Sequence, residues 1–503
     1  MVKKIINKIK KIINNLARPG ENLSESVVRG GFWVFSLRIA QQLFSLIRLV
    51  ILARILAPHD FGLMGIALLT IATLETFSQT GFQQALIQKK DNIESYLNAA
   101  WTVLVLRGFI LFAILYLIAP YAAVFFDAPE AKHIIQVIGL SFLLGAFTNI
   151  GVIYFQKELE FNKEFIYQFV GTLADFIVAV SAVLILRNVW ALVFGLLAGN
   201  VARLIVSYLI HPYRPHLSSD LGKAKELFGF GKWIFGTSII TFLFNQGDDA
   251  FLGKILGVTA LGFYQMAYRI GQVPATEFAK VISCVAFPAY SKLQDNFSKL
   301  KEGFLKILNI TVISMIPLAG GIFILAPEFT KIFFGGKWMP MIPALRILVI
   351  AGMIRALVTT GGALFQGKGA PNRDFKMNLT RLLTMVITIY PLTLFFNMSG
   401  VALAVALGNF ACIPIWFTET GKIVKTTFKD YLKIILPPFL GTVGMCLLLL
   451  PLKWTLGVNL PNFILMVMLA VGAYSAFMYW LDKKFGVKVL NELKSLIHSL
   501  AGE

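Results

Sequence analysis

Polar residues recur at helical spacing inside an apolar stretch near the start of the chain. The stretch is Gly31–Leu56, and at about 100° per residue its polar side chains share one helix face. They are Arg38, Gln41, Gln42, Ser45 and Arg48. Arginine at membrane depth costs about 2.5–3.5 kcal/mol on insertion scales unless it faces a protein-lined or watery cavity. We therefore expect the stripe to face a lumen; the alternative is a lipid-facing helix whose arginines snorkel to opposite interfaces.

The same pattern returns two hundred residues later. Gly31–Ala67 aligns without a gap on Gly231–Ala267 with eleven identities in thirty-seven positions. The polar positions of the stripe correspond to Ser238, Thr241, Asn245 and Asp248. We interpret this as an internal duplication. Two related lobes facing each other across a polar cavity are typical of a transporter.

Composition places the chain among polytopic, all-α membrane proteins. It is 57% hydrophobic and 14% charged, with a mean hydropathy of +0.74. A net charge of +20 would indicate nucleic acid in a soluble protein, but here the positive-inside rule accounts for most of it. The three cysteines stand far apart in apolar runs, so they predict buried hydrophobes and no disulfide or metal site.

Hydropathy predicts fourteen spanning helices. They lie at about 30–56, 61–86, 97–125, 131–155, 165–186, 189–211, 229–253, 258–284, 304–326, 341–365, 378–397, 400–420, 431–452 and 462–481. With both termini in the cytoplasm, cytoplasmic segments hold thirty Lys and Arg residues and the opposite side holds seven. Because six helices precede the second copy, the two lobes are parallel repeats, followed by two extra helices.

This topology predicts six regions along the chain. They are a basic amphipathic cytoplasmic arm (1–28), an N-terminal lobe (29–211), a cytoplasmic connector (212–228), a C-terminal lobe (229–420), two extra transmembrane helices (431–482) and a basic cytoplasmic tail (483–503).

Nine basic and five acidic residues are expected at membrane depth. The basic ones are Arg38, Arg48, Arg107, Arg203, Arg269, Lys280, Arg346, Arg355 and Arg381. This excess favours an anionic substrate, preferably one with phosphate, because arginine stays charged when buried and binds phosphate through two bonds. We rank Arg48, Arg38, Arg269 and Arg355 for substrate contact, with Gln41 and Gln42 beside them. Arg107, Arg203, Arg346 and Arg381 are expected near helix ends as interfacial anchors.

The acids at depth are candidates for ion coupling. They are Glu75, Asp175, Asp248, Asp249 and Glu277. Adjacent Asp248 and Asp249 cannot easily both ionise, which suits proton or cation coupling. The alternative is that one of them pairs with Arg48. Glu277 and Lys280 lie one turn apart and are expected to pair with each other, whereas Glu75 and Asp175 stay open candidates.

Enzyme motifs such as GxxxxGK[ST], GxSxG and HExxH do not occur. We therefore predict a transporter that is not an enzyme, has no cofactor, and draws on an ion gradient, the membrane potential or the substrate gradient. A membrane polymerase or ligase is disfavoured because these enzymes typically need a sizeable extracytoplasmic loop. A multidrug exporter would require the acids to dominate binding.

Several segments in both lobes also resemble a known family. They are LARILAPHDFGLMGIA (52–67), LGKILGVTALGFYQMAYRIGQVP (252–274), FPAYSKLQ (287–294), GGKWMPMIPALRILVIAGMIRAL (335–357) and GALFQGKGAPN (362–372). They resemble the bacterial polysaccharide-transporter flippases of the O-antigen, colanic-acid and teichuronic-acid type. This family belongs to the multidrug/oligosaccharidyl-lipid/polysaccharide exporter superfamily.

The resemblance implies the cargo and its location. The substrate would be an oligosaccharide on undecaprenyl diphosphate, moved from the cytoplasmic to the periplasmic leaflet of the inner membrane by alternating access. Lumen arginines such as Arg38, Arg48 and Arg269 would hold the diphosphate or anionic sugars. The resemblance also implies other polysaccharide-assembly proteins as partners, with neither nucleic acid nor nucleotide. The last two helices resemble those of flippases for peptidoglycan precursors, which leaves that cargo as the alternative.

Overall fold

The computed structural model describes residues 23–79, 81–88, 93–218, 220, 222, 242–276, 290, 293 and 296–485. Eleven of the described helices are long and apolar enough to cross a membrane, and a bent pair adds a twelfth if it counts as one span. The expected all-helical polytopic fold is therefore confirmed. The number fourteen stays a prediction, because the spans predicted at about 229–253 and 258–284 lie partly outside the described residues.

Other predicted features also fall outside the described part of the chain. They include residues 1–22 of the amphipathic arm, the tail beyond 485, and the pair Glu277 and Lys280. The fold divides into two compact units, Met1–Phe242 and Leu243–Glu503. The finer division into six regions stays a prediction.

The first unit contains nine described α-helices. They are α1 (Leu23–Ile55), α2 (Pro58–Phe77), α3 (Phe82–Gln88), α4 (Glu94–Phe125), α5 (Ala131–Ile138), α6 (Leu140–Ala146), α7 (Ile153–Lys157), α8 (Phe161–Leu186) and α9 (Trp190–Ile210). The predicted continuous helix at 61–86 is wrong, because α2 and α3 are separated around Gly81, whose φ is +68°. A residue in this left-handed region cannot continue a right-handed helix.

The predicted continuous helix at 131–155 is also wrong. Its two parts, 131–146 and 150–157, are bent by 71° around Asn149. The Asn149 side chain accepts the Gly151 N–H at 2.9 Å, and the backbone N–H of Asn149 donates to the Ser207 side-chain Oγ on α9 at 3.0 Å. Side-chain hydrogen bonds thus replace the helical ones at this bend.

The segment after α9 is fixed against the first unit. Tyr213 donates from its hydroxyl to Asn98 Oδ1 at 2.8 Å, and its carbonyl accepts from Asn149 Nδ2 at 2.7 Å. The Tyr213 N–H donates to His211 Nδ1 at 3.1 Å, and the His211 ring stacks on Tyr154 with 5.5 Å between ring centroids. The start of the predicted connector therefore belongs structurally to the first unit.

The second unit contains eight described α-helices. They are α10 (242–256), α11 (Val258–Gly271), α12 (Phe297–Phe329), α13 (Ile342–Gly367), α14 (Pro371–Phe396), α15 (Met398–Val424), α16 (Phe428–Thr455) and α17 (Leu460–Phe485). The helix lengths of the first unit recur in the same order in the second unit. Helices α4 and α12 have 32 and 33 residues, and α8 and α14 both have 26. This recurrence supports the duplication, while the parallel orientation of the lobes stays a prediction.

Two glycines bring α11 and α13 into backbone contact. A Cβ added to Gly352 would lie 2.5 Å from the Gly271 carbonyl oxygen, so any larger residue would push the helices apart. Gly352 lies three residues before Arg355, and Gly271 lies three residues after Tyr268. The close crossing therefore holds these two polar side chains near each other.

The last two helices are attached to the second unit through α12. Lys453 on α16 forms an ion pair with Glu328 at 3.2 Å and donates to the Ile324 carbonyl at 2.6 Å. Tyr474 on α17 donates to the Ile313 carbonyl at 2.9 Å. These polar contacts reinforce an apolar interface between the helices.

Arg346 satisfies a carbonyl that a proline leaves without a helical donor. Pro327 has no N–H, so the Phe323 carbonyl four residues earlier loses its usual hydrogen bond. Arg346 Nε on α13 donates to this oxygen at 3.2 Å, and the guanidinium lies 5.3 Å from the centroid of the Phe323 ring. The interaction gives Arg346 a structural role beyond the expected interfacial anchoring.

The segments that resemble the known family contribute mainly buried residues to the packing of the second unit. Trp338 from GGKW is fully buried and meets the rings of Phe263 and Phe334 edge-on, at centroid distances of 5.8 and 6.2 Å. Leu261 and Met266 from LGFYQMA are buried as well. Such positions preserve the fold, which is why the segments indicate the family without indicating the cargo.

Candidate binding and coupling sites in the two units

Arg48 forms an ion pair inside the first unit. Its Nη2 lies 2.9 Å from Asp175 Oδ1 on α8, and only 20% and 24% of the two side chains are exposed. The Nε of Arg48 is buried without an acceptor among the described residues. The sequence singled out both residues but did not pair them, and the alternative that Asp248 or Asp249 pairs with Arg48 stays a prediction.

Glycines on α9 make room for Asp175. A Cβ added to Gly195 would lie 2.7 Å from Asp175 Oδ1, and one added to Gly199 would lie 3.1 Å from Asp175 Cβ. Arg203 on α9 lies across Gly171 and donates to Asn200 Oδ1 at 3.2 Å. Its expected role as an interfacial anchor is wrong, because the side chain packs between α8 and α9.

The other candidates of the first unit lie outside this cluster. Arg38 and Gln42 on α1 are exposed and Gln41 is half-buried. Glu75 is exposed near the end of α2, close to Arg107, which donates to Ser78 O and Oγ at 2.9 and 2.8 Å. The binding and coupling roles of these residues stay predictions.

Two adjacent carboxylates lie in the second unit between α10 and α11. Asp248 is 2% exposed and accepts a hydrogen bond from the Tyr264 hydroxyl at 2.6 Å. Asp249 accepts from Gln265 Nε2 at 3.0 Å. Asp248 Oδ1 is buried without a donor among the described residues. Asp248 is therefore buried and Asp249 half-buried, and neutral side-chain donors hold both, an arrangement that leaves room for a proton on one of their oxygens.

Arg355 lies beside this pair on α13. It donates to Asn245 Oδ1 at 3.0 Å and to the Tyr268 hydroxyl at 3.2 Å. Both acceptors are neutral, so these bonds orient the guanidinium without neutralising its charge. Asn245 is the counterpart of Ser45 in the stripe of the first copy, and the structure brings it to Arg355.

Arg381 is the residue that sequence reasoning misplaced. It is the eleventh residue of α14 and only 6% exposed, so its expected role as an interfacial anchor is wrong. Its guanidinium lies 4.6 Å from the centroid of the Phe244 ring, and Arg355 lies 5.5 Å from the same ring. A buried aromatic face attracts both cations. The Nε of Arg381 has no acceptor among the described residues.

The two arginines line a cavity of about 330 Å³ between α13 and α14. One polar face of α13 contributes Arg355, Thr359 and Gln366, and one face of α14 contributes Asp374, Asn378 and Arg381. The spacing is helical on both sides, with steps of three, four or seven residues. Gly362 forms part of the wall, because a Cβ there would lie 3.2 Å from Asp374 Oδ1.

Arg269 takes no part in lining this cavity. It lies on α11, one residue after Tyr268, and its side chain is exposed. Its predicted contact with substrate stays a prediction.

Fold and sites together define a helical membrane transporter. The structure resembles the lipid II flippase MurJ in an inward closed conformation, with a TM-score of 0.72 and 15% identity over 91% of this chain and 99% of that one. It also resembles an inward-facing multidrug resistance MATE family transporter of the MOP superfamily, with a TM-score of 0.61 and 18% identity over 77% and 96%. These likenesses show the fold that the resemblance implied.

The sequence comparisons show the family. Residues 51–343 match the family described as "Polysaccharide biosynthesis protein", so the chain belongs to it. The lipopolysaccharide biosynthesis protein WzxC of Escherichia coli K12 is 26% identical over 430 residues, which are 83% of this chain and 86% of that protein. The family resemblance found in the sequence is confirmed.

Proposed function

We propose that this protein is a flippase that moves lipid-linked oligosaccharides, carried on undecaprenyl diphosphate, from the cytoplasmic to the periplasmic leaflet for surface polysaccharide synthesis. Membership of a polysaccharide biosynthesis family and the likeness to a lipopolysaccharide biosynthesis protein support this function. The observation that carries it is the cavity inside the second unit, which among the described residues is lined by Arg355 and Arg381 against a single acid, Asp374. Such a site attracts an anion.

The same observation separates this function from multidrug export. The fold is common to both classes, since a multidrug resistance transporter and a lipid II flippase both resemble this chain. A binding site for organic cations would need acids to dominate it. Two arginines and one acid, Asp374, are the charged side chains among the described residues that line this cavity. A peptidoglycan precursor is the second cargo, and it would share the diphosphate.

Residues outside the cavity are assigned to the path and to coupling. We assign the α1 stripe (Arg38, Gln41, Gln42, Arg48) and Arg269 to contacts along the translocation path. The adjacent acids Asp248 and Asp249 are assigned to coupling with a proton or sodium gradient. Glu75 and Asp175 are the further coupling candidates, although Asp175 also neutralises Arg48. The protein is a transporter without enzymatic activity, in the bacterial cytoplasmic membrane, with both termini in the cytoplasm and other assembly proteins as partners.

Ligand-induced thermal stabilisation of the purified protein tests the substrate class. A ligand present at a hundred times its dissociation constant adds about 2.7 kcal/mol to the stability of the folded state. Polyprenyl-diphosphate oligosaccharides should raise the melting temperature, and lipophilic cations should leave it unchanged. Stabilisation by the lipophilic cations alone would contradict the flippase function and favour a multidrug exporter.

Substitution of both acids tests the coupling. Asp248→Asn with Asp249→Asn should flatten the dependence of flipping on the imposed ion gradient while leaving downhill flipping intact. Proteoliposomes with and without a proton or sodium gradient provide the measurement. A dependence that survives in the double variant would make the pair structural, with Tyr264 and Gln265 as its partners.

A further inference from the structure

We propose that the cavity between α13 and α14 is a subsite for one carboxylated sugar of the oligosaccharide, with Arg381 as the residue that selects it. The inference rests on the proposed function and assigns the cavity a specific part of the cargo. It concerns Arg381 and Asp374, whose places in the cavity only the structure reveals.

Arg381 is buried with one hydrogen-bonding group left unsatisfied by the described residues. A side chain that is 94% buried, with its Nε lacking an acceptor among the described residues, leaves a hydrogen-bonding group unused at membrane depth. Leaving such a group unsatisfied is unfavourable, more so when it is charged. Arg381 lines the cavity wall, so an oxyanion bound there would lie against its guanidinium. Arg355, fixed by Asn245 and Tyr268, supplies the second positive charge.

The charged residues that line the cavity leave it with a small positive charge. Arg355, Arg381 and Asp374 give a net charge of +1 for the described residues that line it. This charge matches a single carboxylate. A diphosphate carries more negative charge, so Asp374 would repel it more strongly than it would repel a single carboxylate. The balance therefore favours a monoanionic sugar over the diphosphate of the carrier.

The uncharged residues that line the cavity suit a sugar ring. Thr359, Gln366, Asn378 and Asp374 together offer hydroxyl, amide and carboxylate groups that both donate to and accept from sugar hydroxyls. Val358, Ala363 and Met377 add an apolar wall for the carbon face of a ring. A volume of about 330 Å³ lies at the lower end for ligand pockets and suits one sugar residue.

The shape of the lining gives a direction of entry. Gln366 and Asp374 flank the junction between α13 and α14, whereas Arg355 lies eleven residues deeper along α13, about 16 Å at 1.5 Å per residue. In the predicted topology this junction faces the cytoplasm, where lipid-linked sugars are loaded. A sugar would therefore meet neutral and acidic groups first and the arginines last.

The test compares two synthetic polyprenyl-diphosphate oligosaccharides that differ at one sugar, a hexuronic acid in one and the neutral hexose in the other. Flipping of each is measured in proteoliposomes containing the full-length protein. The wild-type protein should prefer the acidic compound by on the order of ten- to a hundredfold, the value of one or two charge-assisted hydrogen bonds. Arg381→Met should remove this preference, slowing the acidic compound toward the rate of the neutral one.

Two further variants keep the test decisive if Arg381→Met folds poorly. Asp374→Asn raises the net charge of the cavity and should increase the preference for the acidic compound. Arg373→Met is the matched control on the same helix, because Arg373 pairs with Glu419 at 3.1 Å and does not line the cavity. It should leave the preference unchanged.

Competition identifies the source of the anion. Free hexuronate should inhibit flipping by the wild-type protein and not by Arg381→Met, and inorganic diphosphate should inhibit both equally. Two results would overturn the sugar subsite and assign the cavity to the diphosphate of the carrier. One is that Arg381→Met slows the flipping of both compounds equally. The other is that inhibition by inorganic diphosphate depends on Arg381. Failure of the wild-type protein to flip either compound would instead refute the flippase function itself.

Discussion

Arg48 and Asp175 can be neutralised one at a time and then together. These variants should separate the contribution of the ion pair to protein stability from the role of Arg48 in transport. At the observed 2.9 Å, two unit charges attract by about 6 kcal/mol at an effective dielectric constant of about 20. Desolvation of the two largely buried groups offsets most of this energy. We expect a coupling free energy of about 2 kcal/mol in a double-mutant cycle.

The two single variants should differ in severity. Arg48→Gln leaves Asp175 near Arg203, which still attracts it. Asp175→Asn leaves Arg48 without its carboxylate, and should therefore destabilise the protein more. The double variant should be more stable than the sum of the single effects predicts, because no charge is left without its partner.

Unfolding free energies in mixed detergent micelles provide the assay, together with flipping in proteoliposomes. The pair Lys163 and Glu160 lies three residues apart on the chain at 2.7 Å, with side chains that are 38% and 32% exposed. It is the more solvent-exposed control and should couple by no more than about 0.5 kcal/mol. An equally small coupling for Arg48 and Asp175 would refute the reasoning. Wild-type flipping by the stable double variant would remove Arg48 from the substrate path.

Two further predictions concern Arg346 and His211. Arg346→Met should lower the free energy of unfolding by about 1–3 kcal/mol. In a Pro327→Ala background it should cost much less, because the N–H of the introduced alanine can donate to the Phe323 carbonyl. Equal losses of stability in both backgrounds would show that Arg346 does not replace the donor that Pro327 lacks. Burial lowers the pKa of His211, and the positive charge of Lys163 lowers it further. The unfolded chain therefore binds a proton at this residue more readily than the folded protein does. As a result, the melting temperature should fall as the pH drops below about 6.5. His211→Asn, which keeps an acceptor for the Tyr213 N–H, should make that fall smaller between pH 7.5 and 5.5, and an unchanged pH dependence would assign it to other groups.

The sequence by itself determined the membrane class, most helices and the family. Hydrophobic length is a local property, and helices such as α4, α8, α16 and α17 begin and end within a few residues of their predicted bounds. The duplication was also visible, because aligned Trp and Gly residues are rare coincidences in an apolar chain. The family segments were recognisable for the same reason, since their buried residues are constrained by packing.

Only the tertiary structure decided the partners of the charged residues. The sequence predicted α14 from residue 378, but the helix begins at Pro371, because proline suits the first helical turn and Asp374 favours its N-terminal end. The prediction leaves the seven residues 371–377 in a loop, which places Arg381 in the first turn of the helix and not in its middle. The pairing of Arg48 with Asp175, like the meeting of Arg355 with Asn245, joins residues over a hundred positions apart. Periodicity shows which face of a helix is polar, but the neighbour of that face depends on how the helices pack.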